Sequence, residues 1–136
     1  MFVIGDKPEM ANVVKLSGNF LIASVIESLG EAIALVRKYG IDPHEYVEFL
    51  TNSLFAAPVY KTYGRLIADA KHETAGFALR LGLKDIRLAL SAAESVDVPL
   101  PVASLVRDHM LAAIGRGREK SDWSVLGQLA AEDAGL

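Results

Sequence analysis

Between Pro8 and Tyr39 the chain carries no internal proline, and from Val13 to Ile26 a helix drawn through it is apolar on nearly every side. That stretch constrains the fold more than any other. A helix with one greasy face docks on a core, whereas one that is greasy all round must be covered all round. Pro8 suits the first turn, where its missing N–H is not needed, and Gly40 suits the position just past the end. Arg37 and Lys38 complement the negative helix terminus. The expectation is a long helix sandwiched between its own domain and a partner surface.

Later segments read the same way. Asp42-Pro43 is an N-cap with proline at the first helical position and opens a second helix to about Ser53. Val59 to His72 predicts a third, broken or bent near Gly64. Phe77 to Val96 predicts a strong helix with Phe77, Leu81, Lys84 and Leu88 on one side. The Val98-Pro99-Leu100-Pro101 corner starts another, ended by Gly115 and Gly117, and Ser121 or Asp122 caps a last one from Trp123 to about Glu132. No segment alternates as a strand does, no repeat is visible and no heptad pattern of apolar residues persists for several turns. The fold class is therefore all-α, one compact multi-helix domain over residues 1–136 with a long N-terminal central helix.

Bulk properties exclude several functions. The 136 residues contain no cysteine, so thiol nucleophiles, thiolate metal sites and disulfides are ruled out, in keeping with a cytoplasmic protein. A net charge of −3 argues against a nucleic-acid surface. The longest apolar run, Phe20 to Ile26, is far shorter than the roughly 20 residues of a membrane span, so no membrane segment or signal peptide is expected. The three histidines, His44, His72 and His109, have no metal-ligand spacing, so no metal is expected. Gly115-Arg116-Gly117 follows a helix instead of a strand and is no dinucleotide loop. Arg116, Arg118 and Lys120 form a short basic run read as a solvated loop, with a phosphate contact as the alternative.

Two constellations carry chemistry. Lys15 and Asn19 are four residues apart and share a helix face that continues through Ile22, Ile26, Leu29 and Ile33. Lys15 either snorkels back to solvent, or it lines a polar notch with Asn19 where an ammonium transfers a proton and an amide orients a bound oxygen. Lys84 interrupts a second apolar stripe beside Asp85. Adjacent residues lie about 100° apart on a helix and do not form a side-by-side pair, so each is either an ordinary surface residue or, as a second lysine on a second apolar stripe with Phe77 two turns earlier suggests, part of two helices converging on one pocket.

Together these residues resemble the C-terminal domain of the β-hydroxyacid dehydrogenase family, which includes 3-hydroxyisobutyrate dehydrogenase, glyoxylate and succinic semialdehyde reductases and, more distantly, 6-phosphogluconate dehydrogenase. The likeness rests on Lys15-x-x-x-Asn19, Glu31-Ala32, Lys38 to Asp42, Phe77 with Lys84-Asp85, the Val98 to Pro101 corner and Asp122-Trp123-Ser124. It implies an oxidoreductase using NAD or NADP, bound mainly by an N-terminal Rossmann domain that this chain lacks, so that the chain alone is inactive. By resemblance Lys15 is the catalytic general acid/base and Asn19 assists it or holds substrate. Phe77 and Asp85 then shape the substrate end, and Lys84 approaches the cofactor. The implied partners are a small hydroxyacid or aldehyde substrate and a second copy, in a homodimer through the first helix. The family usually has glycines six and four residues before the lysine, where this chain has Glu9 and Ala11. The alternative reading is a non-catalytic helical module for dimerisation or partner binding.

Overall fold

A computed structural model describes residues 5–136. Among them are six α-helices and no strand. They are α1 (Pro8–Lys38), α2 (Pro43–Thr51), α3 (Pro58–Asp69), α4 (Leu79–Ser95), α5 (Pro101–Gly115) and α6 (Leu126–Asp133). A single 3-10 turn, Trp123–Val125, leads into α6. The all-α expectation and most predicted boundaries match. The capping chemistry matches too: the Asp42 carboxylate accepts from the backbone N–H of His44 at 2.7 Å, and Gly40 adopts φ +81° just after α1 ends.

The long helix α1 is the axis of the domain and touches each of the other five. Ala23, Ile26, Leu29 and Ile33 are buried against Leu79, Leu83 and Ile86 of α4, Val106 and Met110 of α5, and Trp123, Val125 and Leu126. The closest approach is to α6, where a Cβ on Gly30 would stand 2.6 Å from the Gly127 Cα. Only paired glycines allow that crossing.

One expectation needs correction. The third helix is not broken at Gly64: α3 runs through it, and the glycine is there because a Cβ would meet the Val47 side chain of α2 at 2.7 Å. Within this single chain α1 is covered on one side only, with Val13, Val14, Leu21 and Leu35 exposed on the other. The helix is also long and apolar enough to cross a membrane by length and composition, a property that counting uninterrupted apolar runs misses. Packing against the other five helices buries 39% of that apolar window as core.

Candidate active site

The first half of α1 and the first half of α4 lie side by side, and their polar residues meet. Asn19 Nδ2 donates to Asp85 Oδ2 at 2.7 Å across 66 residues of sequence, and both side chains are partly buried. A carboxylate acceptor strengthens this bond relative to a neutral one. It also fixes the amide's orientation, leaving Asn19 Oδ1 free to accept. Lys15 stands one turn earlier on α1 and is exposed, with no ion pair among the described residues. The Lys15 stripe is thus buried only from Ile26 onward. Lys15 lies past the end of the packed face, so the chain by itself does not desolvate its ammonium.

On α4, Lys84 turns away from Asn19. The face expected to be apolar and inward, Leu81, Lys84 and Leu88, is instead the outer one, because Leu79, Gly82, Leu83, Ile86 and Ala89 hold the core side. Lys84 borders a shallow cavity of about 310 Å³ with Arg80, Leu81, Arg87 and Leu88. Arg80 is tied to Glu119 at 2.7 Å, whereas Lys84 and Arg87 have no ion pair among the described residues. Lys84 and Arg87 thus form a cationic patch on the outer face of α4.

Phe77 lies two residues before α4, not in it. Its ring packs edge-on to Trp123, with centroids 4.5 Å apart. Trp123 Nε1 in turn donates to Tyr63 Oη at 2.9 Å. The loop is held by Asp122, a buried carboxylate whose sequence signal is only that of a helix cap. Asp122 Oδ1 accepts from the Gly76 and Phe77 N–H groups at 3.0 Å each, and Oδ2 accepts from Ser124 N–H at 2.9 Å. Buried His72 pairs its Nδ1 with Ser124 Oγ at 2.7 Å, and burial lowers its pKa. Asp122-Trp123-Ser124 therefore acts as a clamp that positions Phe77, a role visible only once the two segments are seen together.

Two further polar groups lie apart from this site. The buried Glu27 of α1 pairs with His109 of α5. The basic run is not a free loop: Arg116 and Arg118 bind Glu132, and Arg116 also reaches Asp133, so their guanidinium groups are engaged by α6. That removes the phosphate reading for both. Among the described residues no group of three or more His, Asp or Glu side chains is arranged to hold a metal ion.

A family described as the NAD-binding region of NADP-dependent 3-hydroxyisobutyrate dehydrogenase matches residues 10–129. The chain belongs to this family. It is 40% identical over 126 residues to an uncharacterized oxidoreductase, YfjR, of Bacillus subtilis, covering 93% of this chain and 44% of that protein. It is 34% identical over 125 residues to glyoxylate/succinic semialdehyde reductase 2, chloroplastic, of Arabidopsis thaliana, covering 92% and 34%. The fold superposes on 3-hydroxyisobutyrate dehydrogenase from Salmonella typhimurium with TM-score 0.86 and 24% identity, covering 94% of this chain and 45% of that one. The chain therefore spans less than half the length of these relatives, and it corresponds to a β-hydroxyacid-dehydrogenase-like domain of an NAD(P)-linked oxidoreductase family.

Proposed function

We propose that this chain is the catalytic and dimerising C-terminal half of an NAD(P)-dependent β-hydroxyacid dehydrogenase or aldehyde reductase, with Lys15 as general acid/base. The observation that carries the reading is the Asn19–Asp85 hydrogen bond, one helical turn from Lys15 and one residue from Lys84. It brings the Lys15–Asn19 face of α1 against Asp85 of α4, which supports reading the two helices as walls of one site, with Lys84 at its outer edge. When bound, the nicotinamide supplies or accepts hydride at the substrate carbon. Lys15 gives its proton to the carbonyl oxygen in reduction and takes the hydroxyl proton in oxidation, and its positive charge stabilises the developing alkoxide. Asn19, oriented by Asp85, holds the oxygen near Lys15. Phe77 walls the substrate end, and Lys84 with its neighbour Arg87 faces the cofactor's phosphates. Small hydroxyacids or aldehydes are the substrate class, in line with the named relatives. A nucleotide-binding half outside these 136 residues would cover Lys15 and desolvate it, and we place the enzyme in the cytoplasm as a homodimer through α1.

Lys15→Ala in the protein joined to a nucleotide-binding half tests the role. Turnover should fall by about 10²- to 10⁴-fold, the usual value of a positioned acid/base, while the dimer persists. Unchanged turnover would remove Lys15 from the chemistry and favour the binding-module reading. The 136-residue chain alone should oxidise no NAD(P)H with glyoxylate or succinic semialdehyde, and turnover by it would overturn the division of labour.

A further inference from the structure

One titratable cluster takes no part in the site described above. Glu27 and Glu31 stand one turn apart on the same face of α1, and His109 of α5 pairs its Nδ1 with Glu27 Oε1. Glu27 is only 5% exposed, yet its second oxygen, Oε2, is buried with no hydrogen bond. Buried acceptors are nearly always paired, so one left open asks for a donor. Glu31 is exposed and makes no ion pair among the described residues. As a carboxylate it is no donor, and a second negative charge one turn away repels the first. Burial raises the Glu27 pKa, His109 opposes the rise, and Glu31 adds to it through its charge and its contact with the Glu27 carboxyl. A positive group between the two carboxylates relieves both.

The space for such a group is beside them. Glu27, Glu31 and His109 line a cleft of about 420 Å³ between α1, α5 and α6, walled by Ala34, Leu129 and Ala130. A proton needs no such room, and a water takes up only about 30 Å³. A metal ion does not suit the donors, since no group of three or more His, Asp or Glu side chains among the described residues is arranged to hold one. An alkylammonium does suit them. Its head carries three N–H donors for the open Glu27 oxygen and the Glu31 carboxylate, and its methylenes lie on the alanine and leucine walls as a lysine stem lies on apolar surface. The other charges at the cleft are already engaged. Lys38, two turns beyond Glu31, donates to Ala134 O at 2.8 Å, and Asp133 is held by Arg116 at 3.2 Å.

We infer that the cleft between α1, α5 and α6 is a second binding site, which holds an alkylammonium group between Glu27 and Glu31 with its chain against Ala34, Leu129 and Ala130. Glu27 lies about 18 Å along α1 from Lys15 at 1.5 Å per residue, so the site is separate from the proposed catalytic one and stands or falls without it. The ammonium belongs either to a free amine or to a lysine side chain of a nucleotide-binding half outside these 136 residues. The chemistry is the same for both.

Butylammonium is the probe, with 1-butanol as its uncharged counterpart of equal length. At about pH 8 the amine is protonated, as a lysine side chain with a pKa of about 10.4 is. Each compound is titrated into the 136-residue chain at constant ionic strength while the backbone amide NMR signals of Ala34, Leu129 and Ala130 are followed. The expected result is saturable movement with butylammonium, at a Kd of about 1–10 mM for a ligand of so few atoms, and none with butanol up to about 100 mM. Glu27→Gln should weaken binding about tenfold or more, the loss of a hydrogen bond to a charged group. Glu31→Gln should weaken it about threefold, as an exposed ion pair does; the residue is exposed, so this variant keeps the test open if Glu27→Gln disturbs packing. Repeating the titration on the chain joined to a nucleotide-binding half separates the sources. Binding retained there assigns the site to a free amine, and signals already at their bound positions without amine assign it to a lysine of that half. Equal shifts with butanol, no saturable shift with butylammonium, or unchanged affinity in both variants overturns the inference.

Discussion

His109→Ala should destabilise the domain through a residue it leaves behind. Glu27 is only 5% exposed, in the middle of α1, and pairs with His109 Nδ1, while the like charge of Glu31 one turn later also bears on it. Its other oxygen, Oε2, is buried without a hydrogen bond. Removing one member of a fully buried ion pair costs about 3–5 kcal/mol, because the survivor stays desolvated and alone. The His109 side chain is 39% open to solvent, so water partly replaces it, and about 2 kcal/mol is the fitting figure after that discount. For a domain of this size that is a fall of about 6–8 °C in Tm. Glu27→Met, which replaces the desolvated carboxyl with an apolar chain of similar length, should lie within about 1 kcal/mol of the parent or above it. On that background His109→Ala should cost less than about 1 kcal/mol, leaving a coupling of about 1 kcal/mol or more. Urea denaturation of the four proteins at pH 7 measures the cycle. Equal losses from His109→Ala in both backgrounds would show that the pair carries no energy and that the histidine serves only as packing. The pair also has a pH signature. Burial raises the Glu27 pKa above its ordinary 4.5, with His109 opposing it. The folded state therefore binds this proton more tightly than the unfolded chain does. The resulting stability is full below about pH 4.5 and is lost as pH rises through the raised value. Glu27→Met should flatten that part of the profile.

Two other predictions probe packing and surface electrostatics. Gly30→Ala should cost about 1–3 kcal/mol or more, since its Cβ would press on the Gly127 backbone at 2.6 Å and no rotamer relieves it; a loss under about 0.5 kcal/mol in urea would show that α1 and α6 slide apart freely. His44 bonds Asp69 at 2.6 Å, which raises its pKa above 6.5, so its contribution tying α2 to α3 is full below pH 6.5 and fades as pH rises through the raised value. Asp69→Asn should lower the His44 midpoint seen by NMR titration, and an unmoved midpoint would refute the attribution.

Much of this protein follows from local rules acting on the sequence. The prolines at Pro8, Pro43, Pro58 and Pro101 each open a helix, and Asp42, Asp122 and Gly40 supply the caps, because these effects depend on neighbours within one turn. The four-residue step from Lys15 to Asn19 places both on one face before any packing is known. Packing decides which apolar face turns inward. Leu81 and Leu88 are as greasy as Leu79 and Leu83, and only the docking of α4 on α1 and α5 sends the second pair to the core. The same limit applies to Gly64, where a helix-weakening residue is kept for contact with Val47, a neighbour 17 positions away. It applies most to the site. Asn19 meets Asp85 across 66 residues, and Asp122 clamps Phe77 across 45. A hydrogen bond needs two atoms within about 3 Å, and spacing along the chain controls such distances only within a helical turn. Residues that far apart in sequence are brought together by the fold alone.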